Sequence, residues 1–395
     1  MNKRRKPRAS NARLIGLEFR KLFMPKRLVF AAFILLCGGL WLYPFQVLYP
    51  GPQFPDYETR IAAEMEAKYG TLIDDREWEA FKQDRAEKIA EADAYIQADP
   101  LFAAANLDSY ERYMKRGQMP NGGTLELDAH VRSGPKKELF EELRKGSELI
   151  VRYEDDYRWT MGKGTALMNE AERQRLQEIE ARSGVSVLPS SVFYAYASSG
   201  ILYRLAMTAM LTTALLVMHI HIGDRRAGLS ELQGTSRVGR NKLLRIKTAA
   251  ALLIGTMVSA ILLAVLLIAY RFSDAWDLMG ADISGRFNFL FMYDLTFLQY
   301  ILLTYGAVFV LSWIAALLTA FYSAVAPNLQ LLAAAIVVTL FFFFKGDFIL
   351  NRLLDFMLYG SRPLLEPSLI LGGLLLLGIA LTWVAQKQET WRWSR

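Results

Sequence analysis

Long apolar runs alternate with charged segments along most of this chain. One run occupies 28–49, a second follows at 191–222, and four more lie within 248–385. A helix needs roughly 20 mainly apolar residues to cross a bilayer. The pattern therefore predicts six transmembrane helices.

A long polar stretch at 50–190 separates the first two apolar runs. Its segments 56–98, 136–157 and 165–183 are rich in Ala, Glu, Lys and Leu, which favours helices. Segment 117–130 contains Gly and Pro and predicts a loop with a short strand. Apolar positions at helical spacing predict a small core: Trp78, Phe81, Ile89, Leu139, Phe140 and Leu143.

Two shorter segments beside the apolar runs are amphipathic. The basic segment 1–27 predicts a helix on the membrane surface, because its apolar residues recur at helical spacing: Ile15, Phe19, Leu22 and Phe23. Segment 345–363 alternates apolar and charged residues, which indicates a re-entrant or interfacial piece before the last span. The predicted fold class is an all-α membrane protein: six transmembrane helices with a mainly helical extracytoplasmic domain between helices 1 and 2.

Positive charge is concentrated beside the apolar runs. The chain has a net charge of +7; segment 1–27 has 10 Lys or Arg against one acid, and 223–247 has 7 against 2. The polar stretch 51–189 has the opposite balance, with 20 basic and 28 acidic residues. Basic residues flank spans on the cytoplasmic side, where they meet anionic lipid. Both termini, including the tail 386–395, are therefore predicted to be cytoplasmic, and no nucleic-acid partner is expected.

The cysteine and glycosylation patterns bear on the compartment. The single cysteine, Cys37, lies in the first apolar run, so an intrachain disulfide is impossible. The sequence also contains no N-x-S/T glycosylation site. Both features favour a multi-pass protein of a bacterial plasma membrane.

Segment 223–247 joins the second and third apolar runs, so it must lie in or just beyond the headgroup region. Its basic residues are Arg225, Arg226, Arg237, Arg240, Lys242, Arg245 and Lys247. A short helix is predicted at 224–233. We expect it to expose charged side chains to a partner: Asp224, Arg225, Arg226 and Glu231.

Recognisable catalytic and energy-converting motifs are absent from the sequence. It has no G-x-x-x-x-G-K-[ST] phosphate loop, no H-E-x-x-H, no C-x-x-C and no G-x-S-x-G. The apolar runs carry almost no ionisable residues, whereas ion-coupled carriers place acids at mid-membrane. We therefore expect neither an enzyme nor a self-powered carrier, and any transport must draw its energy from a partner.

Segment 223–247 resembles the segment that follows the second span of ABC-2-type permeases, the membrane subunits of a class of ABC exporters. The family pattern is E-x-x-x-G-T-x-E, then leucines, S-T-P-x-x-R and a Lys. The matching or similar residues here are Asp224, Gly228, Glu231, Leu232, Thr235, Ser236, Arg240 and Lys247. Leu229 stands in place of the Thr, and Arg237 in place of the Pro. The number of spans and the basic N-terminal helix also resemble the family; the polar stretch 50–190 is not covered.

The resemblance implies an ATP-driven exporter permease that pairs with a soluble ABC ATPase and with a second permease copy or a related permease. ATP and Mg²⁺ would be bound by the ATPase, and this chain would bind no cofactor; its other contact is membrane lipid. The uncharged, aromatic-rich spans suit an apolar or amphipathic cargo, such as a peptide, an antibiotic or other drug, or a lipid-like molecule. The implied ATPase-coupling residues are Asp224, Arg225, Arg226, Gly228, Glu231, Leu232, Thr235, Ser236 and Arg240.

The alternative is a membrane-anchored sensor or interaction protein whose extracytoplasmic domain binds a ligand or a cell-envelope component. A neighbouring gene for a soluble ATPase would favour the exporter, and a neighbouring kinase gene alone would favour the sensor. The two functions are compatible if an exporter detects an antibiotic through this domain.

Overall fold

The chain divides into two compact units. Unit 1 comprises Met1–Phe54, Phe193–Trp276 and Leu298–Arg395, and unit 2 comprises Pro55–Val192 and Asp277–Phe297. A computed structural model describes the chain over the following residues: 11–42, 56–73, 75–116, 124–151, 170, 173–174, 177–178, 185–186, 188, 199–235, 237–272, 274–283, 294–345 and 365–392.

The described chain is mainly helical, and its elements are numbered here in chain order. The first eight helices are α1 (Asn11–Leu22), α2 (Pro25–Leu42), α3 (Asp56–Tyr69), α4 (Asp75–Ala98), α5 (Pro100–Ala104), α6 (Tyr110–Lys115), α7 (Thr124–Ser133) and α8 (Lys137–Val151). The next seven are α9 (Ser199–Val217), α10 (Ile222–Arg226), α11 (Leu229–Thr235), α12 (Arg237–Arg271), α13 (Phe297–Val325), α14 (Leu329–Lys345) and α15 (Leu365–Arg392). Two short strands, β1 (Leu72–Ile73) and β2 (Val185–Ser186), pair antiparallel.

Four stretches of the described chain are long and apolar enough to cross a membrane: Ile201–Arg226, Lys242–Arg271, Phe297–Val325 and Ser368–Ala385. Helix α14 adds a shorter apolar stretch, and α2 covers the first predicted span as far as Leu42. Residues 43–49 and 346–363 lie outside the described residues, and with them most of the predicted re-entrant piece. A mainly helical chain with four candidate spans agrees with the predicted class, and the count of six stays a prediction.

Helix α9 is central to the packing of unit 1 and contacts α2, α12 and α14. Its contact with α2 requires a glycine at position 38. A Cβ at Gly38 would lie 2.5 Å from Thr208 Cγ2, too close for any side chain to be accommodated without movement. Small residues of this kind let two membrane helices approach closely.

Side-chain hydrogen bonds join α12 to α13 in the apolar interior of unit 1. Ser259 Oγ donates to Ser312 Oγ at 2.8 Å, and Trp313 Nε1–H donates to Thr256 Oγ1 at 2.9 Å. The Tyr305 hydroxyl donates to the carbonyl oxygen of Ser259 at 3.2 Å. Such bonds stabilise the association of membrane helices by about 1 kcal/mol each, so α12 and α13 are expected to move together.

Unit 2 has a core of its own, formed by α4 to α8. Phe140 and Leu143 belong to this core, as expected from helical spacing. Trp78 and Phe81 of α4, expected on the same ground, are also buried. Ile89 and Leu139 are partly buried and pack against the same core. The remaining buried residues of the core are Ala92, Ile96, Phe102, Leu107, Tyr110, Tyr113, Leu127 and Val131.

The prediction of a loop and strand at 117–130 is wrong where the structure describes it. Residues from Thr124 onward form helix α7, and residues 117–123 lie outside the described part. Helix α7 forms because Leu127 and Val131, four residues apart, are both buried in the core of unit 2. Tertiary packing therefore overrides the weak local preference of this stretch.

Segment Asp277–Phe297 also belongs to unit 2, although the apolar pattern assigns it only to a loop between spans. Its two arms pair through backbone hydrogen bonds, from Ile283 N to Leu295 O at 3.0 Å and from Phe297 N to Ala281 O at 2.9 Å. Burial raises the pKa of Glu66 on α3, and the charges of Asp277 and Asp282 raise it further. A second, distant piece of the chain therefore completes unit 2.

Candidate functional site

Segment 223–247 forms parts of three helices within unit 1. Helix α10 ends at Arg226, α11 begins at Leu229, and α12 begins at Arg237. Gly228 lies between α10 and α11 with φ of +67°, a conformation that other residues rarely adopt. The single helix predicted at 224–233 is therefore wrong: a turn at Ala227 and Gly228 divides it in two.

The carboxylate of Asp224 is buried among polar side chains from three other helices. Lys247 Nζ of α12 lies 2.8 Å from Asp224 Oδ2, and Gln233 Nε2 of α11 donates to the same oxygen at 2.9 Å. Lys21 Nζ of α1 lies 3.9 Å from Asp224 Oδ1. Asp224 is only 8% exposed and Lys247 3%. The prediction that Asp224 is exposed to a partner is therefore wrong, because α10 turns it towards α12.

Helix α1 adds a second carboxylate to this group. Lys21 Nζ donates to Glu18 Oε1 at 2.6 Å, and Glu18 is buried at 7% exposure. We call Glu18, Lys21, Asp224, Gln233 and Lys247 the Asp224 cluster. Because its members come from α1, α10, α11 and α12, it connects the start of the chain to the segment that resembles a coupling site.

Ser323 and Arg225 connect the same segment to the end of α13. The buried Ser323 Oγ accepts from the backbone N–H groups of His221 and Ile222, both at 3.1 Å, and donates to Met218 O at 2.8 Å. Arg225 Nη2 donates to the carbonyl oxygens of Ser323 at 2.5 Å and Ala326 at 2.8 Å. These bonds satisfy backbone groups that the ends of helices otherwise leave without partners. Arg225 thus faces α13 and is half-buried.

The solvent-exposed part of the segment lies on and beside the turn at Gly228. Arg226, Ala227, Gly228 and Thr235 are exposed, and two large apolar side chains join them: Leu229 at 39% and Leu232 at 69% exposure. We call Arg226, Ala227, Gly228, Leu229 and Leu232 the exposed turn. It combines positive charge with apolar surface, a composition that fits a protein contact.

Six of the nine residues implied by the resemblance are described with their side chains, and these six are divided between two environments. Asp224 and Arg225 face the interior, while Arg226, Gly228, Leu232 and Thr235 face solvent. Glu231 and Arg240 belong to α11 and α12, but their side chains lie outside the described part, as does Ser236 entirely.

Sequence reasoning missed Glu18, Lys21, Gln233 and Ser323 as members of this site. Lys21 counted only as one of many basic residues in 1–27, and Ser323 is a small hydroxyl inside an apolar run. Ser323 could have been noticed only from its position two residues before the end of α13. The last carbonyl groups of a helix have no partner within the helix and need one elsewhere.

The arrangement holds several helix ends together. Within the described ranges, no three His, Cys, Asp or Glu side chains are placed to hold a metal ion. No family model, no curated protein and no solved structure matches this chain.

Proposed function

We propose that this chain is the membrane subunit of an ATP-driven exporter and that a separate ATPase acts on its exposed turn. The observation that carries the proposal is the Asp224 cluster. The buried carboxylate of Asp224 joins α10 to α11 and α12, and the partly exposed Lys21 adds α1. These contacts lie next to those of Ser323 and Arg225 with α13.

Force on the exposed turn would reach the membrane helices through rigid parts. Close-packed interiors transmit displacement instead of absorbing it. Helix α12 runs without interruption for 35 residues, about 52 Å of helix, from this site into its apolar stretch. Arg225 and Ser323 pass the same displacement to α13, which is hydrogen-bonded to α12 in the interior.

The proposed cargo is apolar or amphipathic: a peptide, an antibiotic or other drug, or a lipid-like molecule. Helix α13 carries no charged residue over its 29 residues, and α14 carries only Lys345 at its end. A charged cargo would meet no counter-charge along α13, and along α14 only that of Lys345 at its end. The proposed assembly contains two ATPases and a second copy of this chain or a related permease, with the turn and both termini in the cytoplasm.

Purification of the tagged chain from its native membranes in a mild detergent tests the proposal. We expect an associated subunit with a phosphate-binding loop and Mg²⁺-dependent ATP hydrolysis by the complex. Leu232→Glu should lower the associated ATPase about tenfold or more, because it buries a charge in the contact. Its matched control is Lys242→Glu, which places the same residue at an exposed position of α12.

Both variants should insert into the membrane as the wild type does. The proposal would be overturned if the intact complex contained no ATPase, or if Lys242→Glu reduced the association as much as Leu232→Glu.

A membrane-anchored sensor or interaction protein is the second candidate. The observation in its favour is that unit 2 has a core of its own, as a ligand-binding module needs. The same purification separates the two functions, since a kinase or an envelope component in place of an ATPase would favour the sensor.

A further inference from the structure

Unit 2 contains a cavity of about 110 Å³ between α3, α4 and α8. The volume needed for one water is roughly 10–15 Å³ on a comparable measure, so the cavity has room for a small organic molecule. Its lining includes Met65, Tyr69, Phe81 and Leu143, which supply apolar surface. Its charged and remaining lining residues are Glu64, Lys68, Asp84, Arg85, Lys88, Glu142 and Gly146.

Two carboxylates of the lining already have cationic partners. Asp84 accepts hydrogen bonds from Lys68 Nζ and from the Tyr69 hydroxyl, and these bonds lower the pKa of Asp84. Glu142 accepts a hydrogen bond from Lys88 Nζ. The positive charges of both lysines are therefore balanced within the cavity wall.

Arg85 is the exception among the cations of the lining. Its Nη2 donates to the neutral hydroxyl of Ser147, and no carboxylate of the described residues lies within ion-pair distance of it. Its Nε–H is buried and has no acceptor in the part of the chain that the structure describes. A half-buried charge without a counter-charge is unfavourable, so an anion that reached it would be bound.

Gly146 lines the cavity beside this guanidinium. A Cβ at Gly146 would lie 3.5 Å from Arg85 Nε and 3.5 Å from Phe81 Cζ, which is ordinary contact distance. Any larger side chain at this position would therefore extend into the space next to both groups. The charged and apolar walls meet at this point of the cavity.

We propose that this cavity binds a small molecule that carries a carboxylate next to an apolar group. Arg85 holds the carboxylate, and Phe81 and Leu143 cover the apolar group. Free apolar amino acids and the C-terminal residue of a peptide share this chemistry. The inference concerns unit 2 alone and does not depend on the exporter function.

Titration of the purified full-length chain in detergent with three probes tests the ligand class. The probes are L-leucine, the dipeptide alanyl-leucine, and L-leucinamide, which lacks the carboxylate. At least one carboxylate probe should bind saturably by calorimetry, and leucinamide should bind about tenfold more weakly or not at all. The tighter of the two carboxylate probes identifies the source as a free amino acid or a peptide end.

Variants locate the binding in the cavity. Arg85→Gln removes the charge and should weaken the carboxylate probe about tenfold, while Arg112→Gln removes an exposed charge of unit 2 and should leave affinity unchanged. Gly146→Leu should abolish binding by filling the space, whereas Gly146→Ala adds only an ordinary contact and should keep the fold and most of the affinity.

Circular dichroism and thermal melting establish that each variant is folded. The proposal is overturned if no carboxylate probe binds the wild type, if leucinamide binds as well as leucine, or if folded Arg85→Gln binds like the wild type. The comparison of probes on the wild-type chain decides the question even if the Arg85 variant does not fold.

Discussion

At the residue scale, Asp224 is held by side chains from α1, α11 and α12 and is almost wholly removed from water. Taking a carboxylate and an ammonium group out of water is costly, and only good geometry with further hydrogen bonds offsets that cost. Lys247 and Gln233 supply both conditions at 2.8 and 2.9 Å. Asp224 therefore stabilises the segment from within and is not itself a contact for a partner.

Asp224→Ala should destabilise unit 1 by about 3–5 kcal/mol, because it leaves the buried Lys247 without a counter-charge. Denaturant unfolding of the purified chain in detergent, followed by circular dichroism, measures the change. Asp108→Ala is the matched control: Asp108 pairs with Arg112 at 2.9 Å on an exposed surface, where such a pair contributes about 0–1 kcal/mol.

Removal of both charges should restore much of the loss. The double variant Asp224→Leu with Lys247→Met replaces the pair by apolar side chains of similar size, which is often neutral. Equal effects of Asp224→Ala and Asp108→Ala would show that the cluster is not a stabilising feature.

The sequence could identify 223–247 as important but could not assign roles to its residues. Charge and position indicate a membrane-surface segment, yet Lys21 and Asp224 are about two hundred residues apart along the chain. The orientation of α10 relative to α12 determines which charged residue is buried. The local sequence does not predict that orientation. Of the residues that match the family pattern, Gly228, Leu232 and Thr235 are exposed and available to a partner.

At the scale of elements, the turn at Gly228 sets the direction of α10 relative to α11. Gly228 has φ of +67° and no heavy atom within 4 Å of the position of a Cβ, so the backbone conformation alone requires glycine. As a result, the Asp224 side chain is buried, while the side chains of Leu229 and Leu232 stay exposed.

Gly228→Ala should cost about 1–2 kcal/mol, the penalty of a left-handed conformation for an L-residue. Gly223→Ala is its control, because Gly223 lies in helix α10 and a Cβ there would meet only His219 Cβ at an ordinary 3.7 Å. Thermal melting of both variants in the same detergent makes the comparison. A Gly223→Ala variant as unstable as Gly228→Ala would contradict the assignment of strain to the turn.

Most helices, polar as well as apolar, were predictable from local composition: the predicted polar segments 56–98 and 136–157 contain α3, α4 and α8. The apolar runs predicted within 248–385 include α13 and α14, because length and hydrophobicity determine such helices. Helix α12 begins at Arg237, well before its apolar run, because Arg, Lys and Leu are good helix formers and no stop lies between Arg237 and Lys247. Helix α7 was missed because its formation depends on burial in unit 2.

At the scale of the whole molecule, each unit is assembled from separated pieces of the chain. Unit 1 takes three pieces and unit 2 takes two, so Asp277–Phe297 returns to a unit that began at Pro55. Hydrophobic periodicity gives the order of elements along the chain but does not show which distant segments pack together. The candidate roles follow the same division, with the exposed turn in unit 1 and the carboxylate cavity in unit 2.

The central claim is that the exposed turn contacts an ATPase, and site-specific crosslinking tests it most directly. Cys37 is the only cysteine of the chain, so Cys37→Ser gives a background without thiols for single replacements. Leu232→Cys in that background, treated with a short thiol-reactive crosslinker, is compared with Lys242→Cys at an exposed position of α12. We predict a crosslink between Leu232→Cys and a subunit that binds ATP, and none from Lys242→Cys. An active complex in which Leu232→Cys forms no such crosslink, or in which both positions crosslink equally, would contradict the claim.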